Sequence, residues 1–344
     1  MLNGKHGGND LAHDIKLDFS ANLNPLGMPD SVRRAVIASA DVWERYPDHE
    51  SRELRGKLSK KLEVSAEKIV CGNGADDLIY RAVGALRPRR ALVCTPAFSE
   101  YGKALAEHGC EVREHHLDAA NGFAVTESII ADIEGNNMVF IASPNNPTGT
   151  VIGREMLEKI VDACEKYSAY LVCDESFIGF TENACELTAT GILSPKVIVL
   201  RSFTKLFAMA GLRLGYAVCG SSDTASLISY SGQYWSVSAP AQAAGIAALD
   251  ENEYVVKNVR YVSAEREFLS SELSECGLEV FPSSANYLLF RGDSKLGEYL
   301  LNEGILVRSC ADYSGLDDSF FRIAVRTHEE NQQLINAVRR IMNG

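Results

Sequence analysis

The chain has no run of 18 apolar residues, about the length a membrane-crossing helix requires, so no spanning helix is expected. Positive charge is scarce: 34 Lys and Arg stand against 46 Asp and Glu, a net charge of -12. That balance argues against nucleic acid and anionic membrane surfaces as partners. The first ten residues lack the apolar core of a signal peptide, and a cytoplasmic location is expected. None of the nine cysteines forms a C-x-x-C pair, and none clusters with histidine as metal ligands do. Such a scattered set reads as free thiols in a reducing compartment and gives no metal site. The six-residue glycine spacing of a dinucleotide site is missing too, which weighs against a nicotinamide-dependent dehydrogenase. Internal repeats and low-complexity linkers are absent.

What is present is alternation. Short apolar runs fall at 91–94, 138–142, 170–173, 197–200 and 216–219. They are too short for helices and read as strands buried on both faces. Helical patterns over 76–86 and 155–167 lie between them, predicting an α/β fold with a mainly parallel sheet between helices. The pattern changes near residue 250. A long charged helix over 254–276 precedes strand candidates at 285–290, 305–309 and 321–325. A last helix opens on Thr327-His328-Glu329-Glu330, a capping-box pattern. The expected organisation is an N-terminal arm (1–35) joining a small domain, a large domain (36–250) and a small α+β C-terminal domain (251–344).

Lys205 lies in Ser202-Phe203-Thr204-Lys205, and Arg213 follows eight residues later. A lysine among apolar residues loses its proton readily and attacks carbonyls. An arginine with hydroxyls holds a phosphate. An aldehyde carrying a phosphate is pyridoxal 5′-phosphate (PLP). Taken alone, K-x7-R reads more simply as a surface lysine near a loop arginine, but other residues converge on the same chemistry. Asp174 ends a buried strand, where α/β sheets place ligands, and an ionised acid there would keep a pyridine nitrogen protonated. Ser143-Pro144-Asn145-Asn146-Pro147-Thr148-Gly149 is a turn after a strand, and its asparagine can donate to a phenolic oxygen. Gly72-Asn73-Gly74-Ala75-Asp76 opens a helix whose free N–H groups suit a phosphate. Phe98, just past a strand, suits stacking on a flat ring. Arg322 interrupts an apolar strand and so needs a partner, either a substrate carboxylate or phosphate or a structural salt bridge.

In these motifs the whole chain resembles the fold-type I PLP enzymes, the aspartate aminotransferase superfamily. The resemblance implies that Lys205 bonds the cofactor aldehyde and Asp174 faces the ring nitrogen. It gives Asn146 the ring hydroxyl, and Phe98 the ring face. Gly74, Ala75, Asp76, Ser202, Thr204 and Arg213 would surround the cofactor phosphate, and Tyr46 would reach the phosphate in a neighbouring subunit, implying a homodimer. Within the superfamily, His6-Gly7-Gly8-Asn9, Asp18 to Pro29, Glu44-Arg45-Tyr46-Pro47-Asp48, Trp235-Ser236-Val237 and Val307 to Tyr313 are similar to threonine-phosphate decarboxylases of cobalamin synthesis. In that subgroup His6, Asn22, Arg308 and Arg322 would surround a phosphorylated amino acid substrate. Histidinol-phosphate aminotransferases are the alternative. Aminotransferases usually carry a tyrosine three residues after the aspartate; here Phe177 stands in its place. A non-catalytic PLP-binding regulator fits poorly, because the acidic chain shows no basic DNA-binding module.

Overall fold

A computed structural model describes residues 7–8 and 14–343. His6 lies outside the described residues. An opening strand, β1 (Leu17–Asp18), leads into the large sheet. Seven strands follow: β2 (Ile69–Gly72), β3 (Arg90–Thr95), β4 (Glu111–His116), β5 (Met138–Ala142), β6 (Tyr170–Asp174), β7 (Val197–Ser202) and β8 (Gly215–Cys219). Their spatial order is β2-β8-β7-β6-β5-β3-β4. Strands β7, β6, β5, β3 and β4 run parallel, and β8 pairs antiparallel with both β2 and β7. The predicted buried strands all appear within this sheet. Every side chain of β5 is buried, as a strand covered by helices on both faces must be.

Two strands of the sheet were not predicted. Strand β2 is four residues long and carries Gly72. Strand β4 reads Glu-Val-Arg-Glu-His-His, and only one of its six residues is buried. It is the edge strand, where polar side chains blunt unwanted pairing and hide the strand from hydrophobicity-based reading.

Helices α1 (Ala75–Leu86), α2 (Ser99–Glu107) and α3 (Arg154–Lys166) cover the sheet. Helix α4 (Asn252–Glu275) is the long charged helix, and a four-stranded sheet comes after it. This sheet has β9 (Glu279–Val280), β10 (Tyr287–Arg291), β12 (Arg308–Ser309) and β13 (Phe320–Ala324), in the antiparallel order β12-β13-β10-β9. The predicted strand over 305–309 is in fact two. Its first half, β11 (Ile305–Leu306), pairs parallel with β1, which ties the N-terminal arm to the C-terminal region. The capping box is present on the final helix, α5 (His328–Asn343). Thr327 Oγ1 donates to Glu330 Oε2 at 2.7 Å, and the Glu330 N–H donates back to Thr327 Oγ1 at 3.4 Å. A separate apolar cluster joins α5 and the small sheet to Phe19, Phe177 and Phe180, so the core of this region reaches the large sheet's C-terminal edge.

Candidate active site

A cavity of about 240 Å³ opens where β5, β6 and β7 end. It is lined by Lys205, Asp174, Asn146, Phe98, Ala75, Asp76, Ser202, Thr204 and Arg213, and by Asn22, Arg308 and Arg322. These residues come from widely separated stretches of chain, and the strand ends bring them together. Gly74 stands at the N-cap of α1 with φ 88°, a conformation glycine adopts without strain. A Cβ there would meet Arg213 Nη2 at 2.7 Å, so the absence of a side chain lets the guanidinium lie against this turn.

Asp174 is the last residue of β6 and is 7% exposed. Tyr101, on α2, donates its hydroxyl to Asp174 Oδ2 at 2.6 Å, and the Ser176 N–H donates to Oδ1 at 2.9 Å. Both carboxylate oxygens thus accept from the protein. Tyr101 is itself buried, stacked on Phe140 at 5.1 Å and set edge-on to Phe98 at 5.9 Å. Burial, then the Asp174 charge, raises its hydroxyl well above the usual tyrosine range. It therefore stays a donor. Sequence reasoning passed over Tyr101.

Lys205 sits in a single helical turn, Phe203–Leu206, directly after β7. Burial lowers its amine to about 8, and the charges of Arg322 and Arg213 push the same way against Asp76. Three residues before Lys205, at the N-cap of this turn, Ser202 Oγ caps the Thr204 N–H at 3.2 Å, and the two hydroxyls lie 2.6 Å apart. Together with Arg213 and the free first-turn N–H groups of α1, they form an anion cradle.

The other wall is more basic. Arg322, on β13, is 5% exposed. Its Nη1 donates to Asn146 Oδ1 at 2.6 Å and its Nη2 to the Ser20 carbonyl at 2.6 Å, which leaves buried Nε without a partner among the described residues. With its oxygen so engaged, Asn146 turns its amide donor to the other side. Asn22 Oδ1 is also buried without a partner among the described residues. Arg308, on β12, is held by both oxygens of Asp312 at 2.8 Å and lies over the Tyr313 ring at 5.2 Å. Tyr313 and Ser20 line the cavity as well, and neither was a sequence candidate. Phe177 lines the same wall, edge-on to Tyr287 at 4.9 Å, so no hydroxyl reaches the cavity from that position.

One predicted residue stands apart. Tyr46 is 77% exposed, is stacked on Trp235 at 4.1 Å, and does not line the cavity.

The residues present fit pyridoxal 5′-phosphate. They supply a lysine whose amine is depressed, a buried acid fixed by two hydrogen bonds, an amide donor, an aromatic face and an anion cradle around one cavity. Comparison with known proteins agrees. The family "Aminotransferase class I and II" matches residues 14–338. A threonine-phosphate decarboxylase of Salmonella typhimurium is 39% identical, over 100% of this chain and 98% of that protein. A histidinol-phosphate aminotransferase of Methanococcus maripaludis is 30% identical over 97% of this chain and 92% of that protein. The solved histidinol-phosphate aminotransferase of Clostridium acetobutylicum superposes with a TM-score of 0.90 at 30% identity, covering 95% of this chain and 99% of that one. A motif set and a fold that agree from Asp14 to Val338 leave one reading of the ancestry: the chain belongs to the class I and II aminotransferase family.

Proposed function

We propose that the protein is a PLP-dependent carbon–carbon lyase that decarboxylates L-threonine O-3-phosphate, or its serine counterpart, to the aminoalcohol phosphate. The observation that carries this reading is the full-length 39% identity to a threonine-phosphate decarboxylase. The cavity supports it. Its substrate wall presents two arginines and, among the described residues, an unpartnered Arg322 Nε, donors suited to a small dianion with a carboxylate. His6 is proposed as a further phosphate contact.

Bound in this cavity, PLP supplies a sink for the electron pair left at Cα. The residues decide which bond releases that pair. Only a bond perpendicular to the ring plane overlaps with the ring π system. Arg308, Arg322 and Asn22 would anchor the remote phosphate, and that binding energy would orient the Cα–carboxylate bond for cleavage. Asp174, fixed by Tyr101 and Ser176, would face the ring nitrogen. Asn146 would donate to the ring oxygen. Lys205 Nζ would deliver a proton to Cα in place of the departed carbon dioxide.

A second reading, a histidinol-phosphate aminotransferase, rests on the superposition with a solved enzyme of that name. The deciding experiment is product analysis with threonine phosphate and PLP, with and without 2-oxoglutarate. Carbon dioxide and aminopropanol phosphate without keto acid are expected. Keto acid that requires 2-oxoglutarate would overturn the decarboxylase reading.

The active form is proposed to be a cytoplasmic homodimer. Tyr46, Tyr230, Tyr234 and Trp235 are large aromatics exposed together with Trp43, and a second copy would cover such a surface while bringing Tyr46 to its neighbour's phosphate cradle. Sedimentation at micromolar concentration checks this. The division into an arm (1–35), a large domain (36–250) and a small domain (251–344) is likewise a proposal, supported by the β1–β11 pairing.

A further inference from the structure

Glu175 follows Asp174 and, by strand alternation, leaves the sheet on the face away from the cavity. Its side chain is fully buried, yet neither carboxylate oxygen lacks a partner. Oε1 accepts the Ala189 N–H at 2.6 Å, and Oε2 accepts the Thr188 hydroxyl at 2.8 Å. Arg201 completes the set, with Nε 2.8 Å and Nη2 2.7 Å from Oε2; Nη2 also donates to Thr188 Oγ1 at 2.8 Å. Arg201 is the residue directly before Ser202, on β7.

The location matters more than the strength. The bond from the Glu175 N–H to the Leu200 carbonyl, at 2.9 Å, is the last backbone rung between β6 and β7. Beyond it the strands part: one has just delivered Asp174, and the other goes on to Ser202, Thr204 and Lys205. The ion pair spans the parting strands. A buried ion pair is seldom worth more to stability than apolar residues of the same size, but it does fix geometry.

We infer that the Glu175–Arg201 pair is a positioning device that sets the spacing between the acid at the ring nitrogen and the segment carrying Ser202, Thr204 and Lys205. Neither residue touches cofactor or substrate; both act through their chain neighbours. The other ionisable groups facing the pair are Cys173 and Tyr216. The inference rests on the PLP reading of the cavity.

The test uses Glu175→Gln, which keeps the acceptor for Ala189 and removes the charge, and Arg201→Lys, which keeps the charge and removes the fork. Three quantities are read on full-length protein: the PLP dissociation constant, the pH midpoint of the visible absorbance of the loaded enzyme, and the melting temperature of the apo form. Cofactor affinity is expected to fall about tenfold in Glu175→Gln, as misplacement of a site predicts. The pH midpoint should move, kcat should fall with KM little changed, and the apo melting temperature should shift only slightly. Affinity and midpoint within about twofold of the parent would overturn the inference. So would losses that merely track apo unfolding across both variants. If Glu175→Gln fails to fold, Arg201→Lys carries the same readouts and the same criteria. A parent protein that takes up no PLP overturns the cofactor reading itself, whereas a loaded parent with unaltered variants overturns the pair alone.

Discussion

The cofactor wall and the substrate wall of the cavity are built differently. On the cofactor wall, Asp174 and Lys205 stand at the ends of neighbouring parallel strands, paired rung by rung. Their supports are local or come from the helix after β3, two strands from β6, and both oxygens of Asp174 are satisfied. The substrate wall is assembled from the arm, the turn after β5 and two strands of the small sheet, and it keeps buried polar atoms at Asn22 and Arg322 without partners among the described residues. Unpaired buried polar groups are costly, so each is better explained by a ligand than by folding. Under the proposed function the contrast divides the labour: cofactor chemistry would sit on the sheet, and substrate choice on segments outside it.

The largest effect should come from Lys205→Ala. Loss of at least about four orders of magnitude in turnover is expected, with no pyridoxyl group fixed by borohydride; retained labelling would remove the cofactor wall from the comparison. Asp174→Asn should lower kcat by about two to three orders while folding normally, since it removes a fixed charge from a dry site.

The substrate wall should respond through KM. Arg322→Met breaks bonds to Asn146 and Ser20 as well as the ligand contact, and kcat/KM should fall about a hundredfold. Arg308→Met, already neutralised by Asp312, should cost nearer tenfold. Equal effects would mean that the two arginines are not ranked as their partners imply. Steady-state kinetics with threonine phosphate separates these outcomes.

The smallest effect concerns pH. Lys205 reacts only when neutral, so PLP uptake by the apo protein should rise with pH and level off above about 8, the value to which burial and two arginines lower the amine. Arg213→Met removes one of those charges and should move the midpoint upward, measured by the growth of visible absorbance. A midpoint unchanged or lowered would show that the arginine does not act on the lysine.

Much of the cofactor wall was legible from the chain because its residues fall at strand ends, where an apolar run stops and a polar residue begins. Asp174 after Leu-Val-Cys and Lys205 after Val-Leu-Arg-Ser-Phe-Thr are readable in that way. The capping box at Thr327 was equally local. Tyr101 and Tyr313 were not legible, because an aromatic inside a helix or loop looks the same whether it packs or bonds. Strand β4 was missed for a related reason: an edge strand with one buried residue carries no apolar alternation.

The sequence by itself determined the alternation of strands and helices, the lysine and aspartate of the cofactor wall, and the glycine turn that opens α1. These depend on neighbours within a few residues, where periodicity, capping and backbone freedom act. Only the tertiary structure decided that Arg322 reaches Asn146 and Ser20, that the segment over 305–309 splits between two sheets, and that Glu175 meets Arg201 behind the site. Those contacts join residues 12 to 302 positions apart, and chain spacing carries no force over such separations until the sheet has closed.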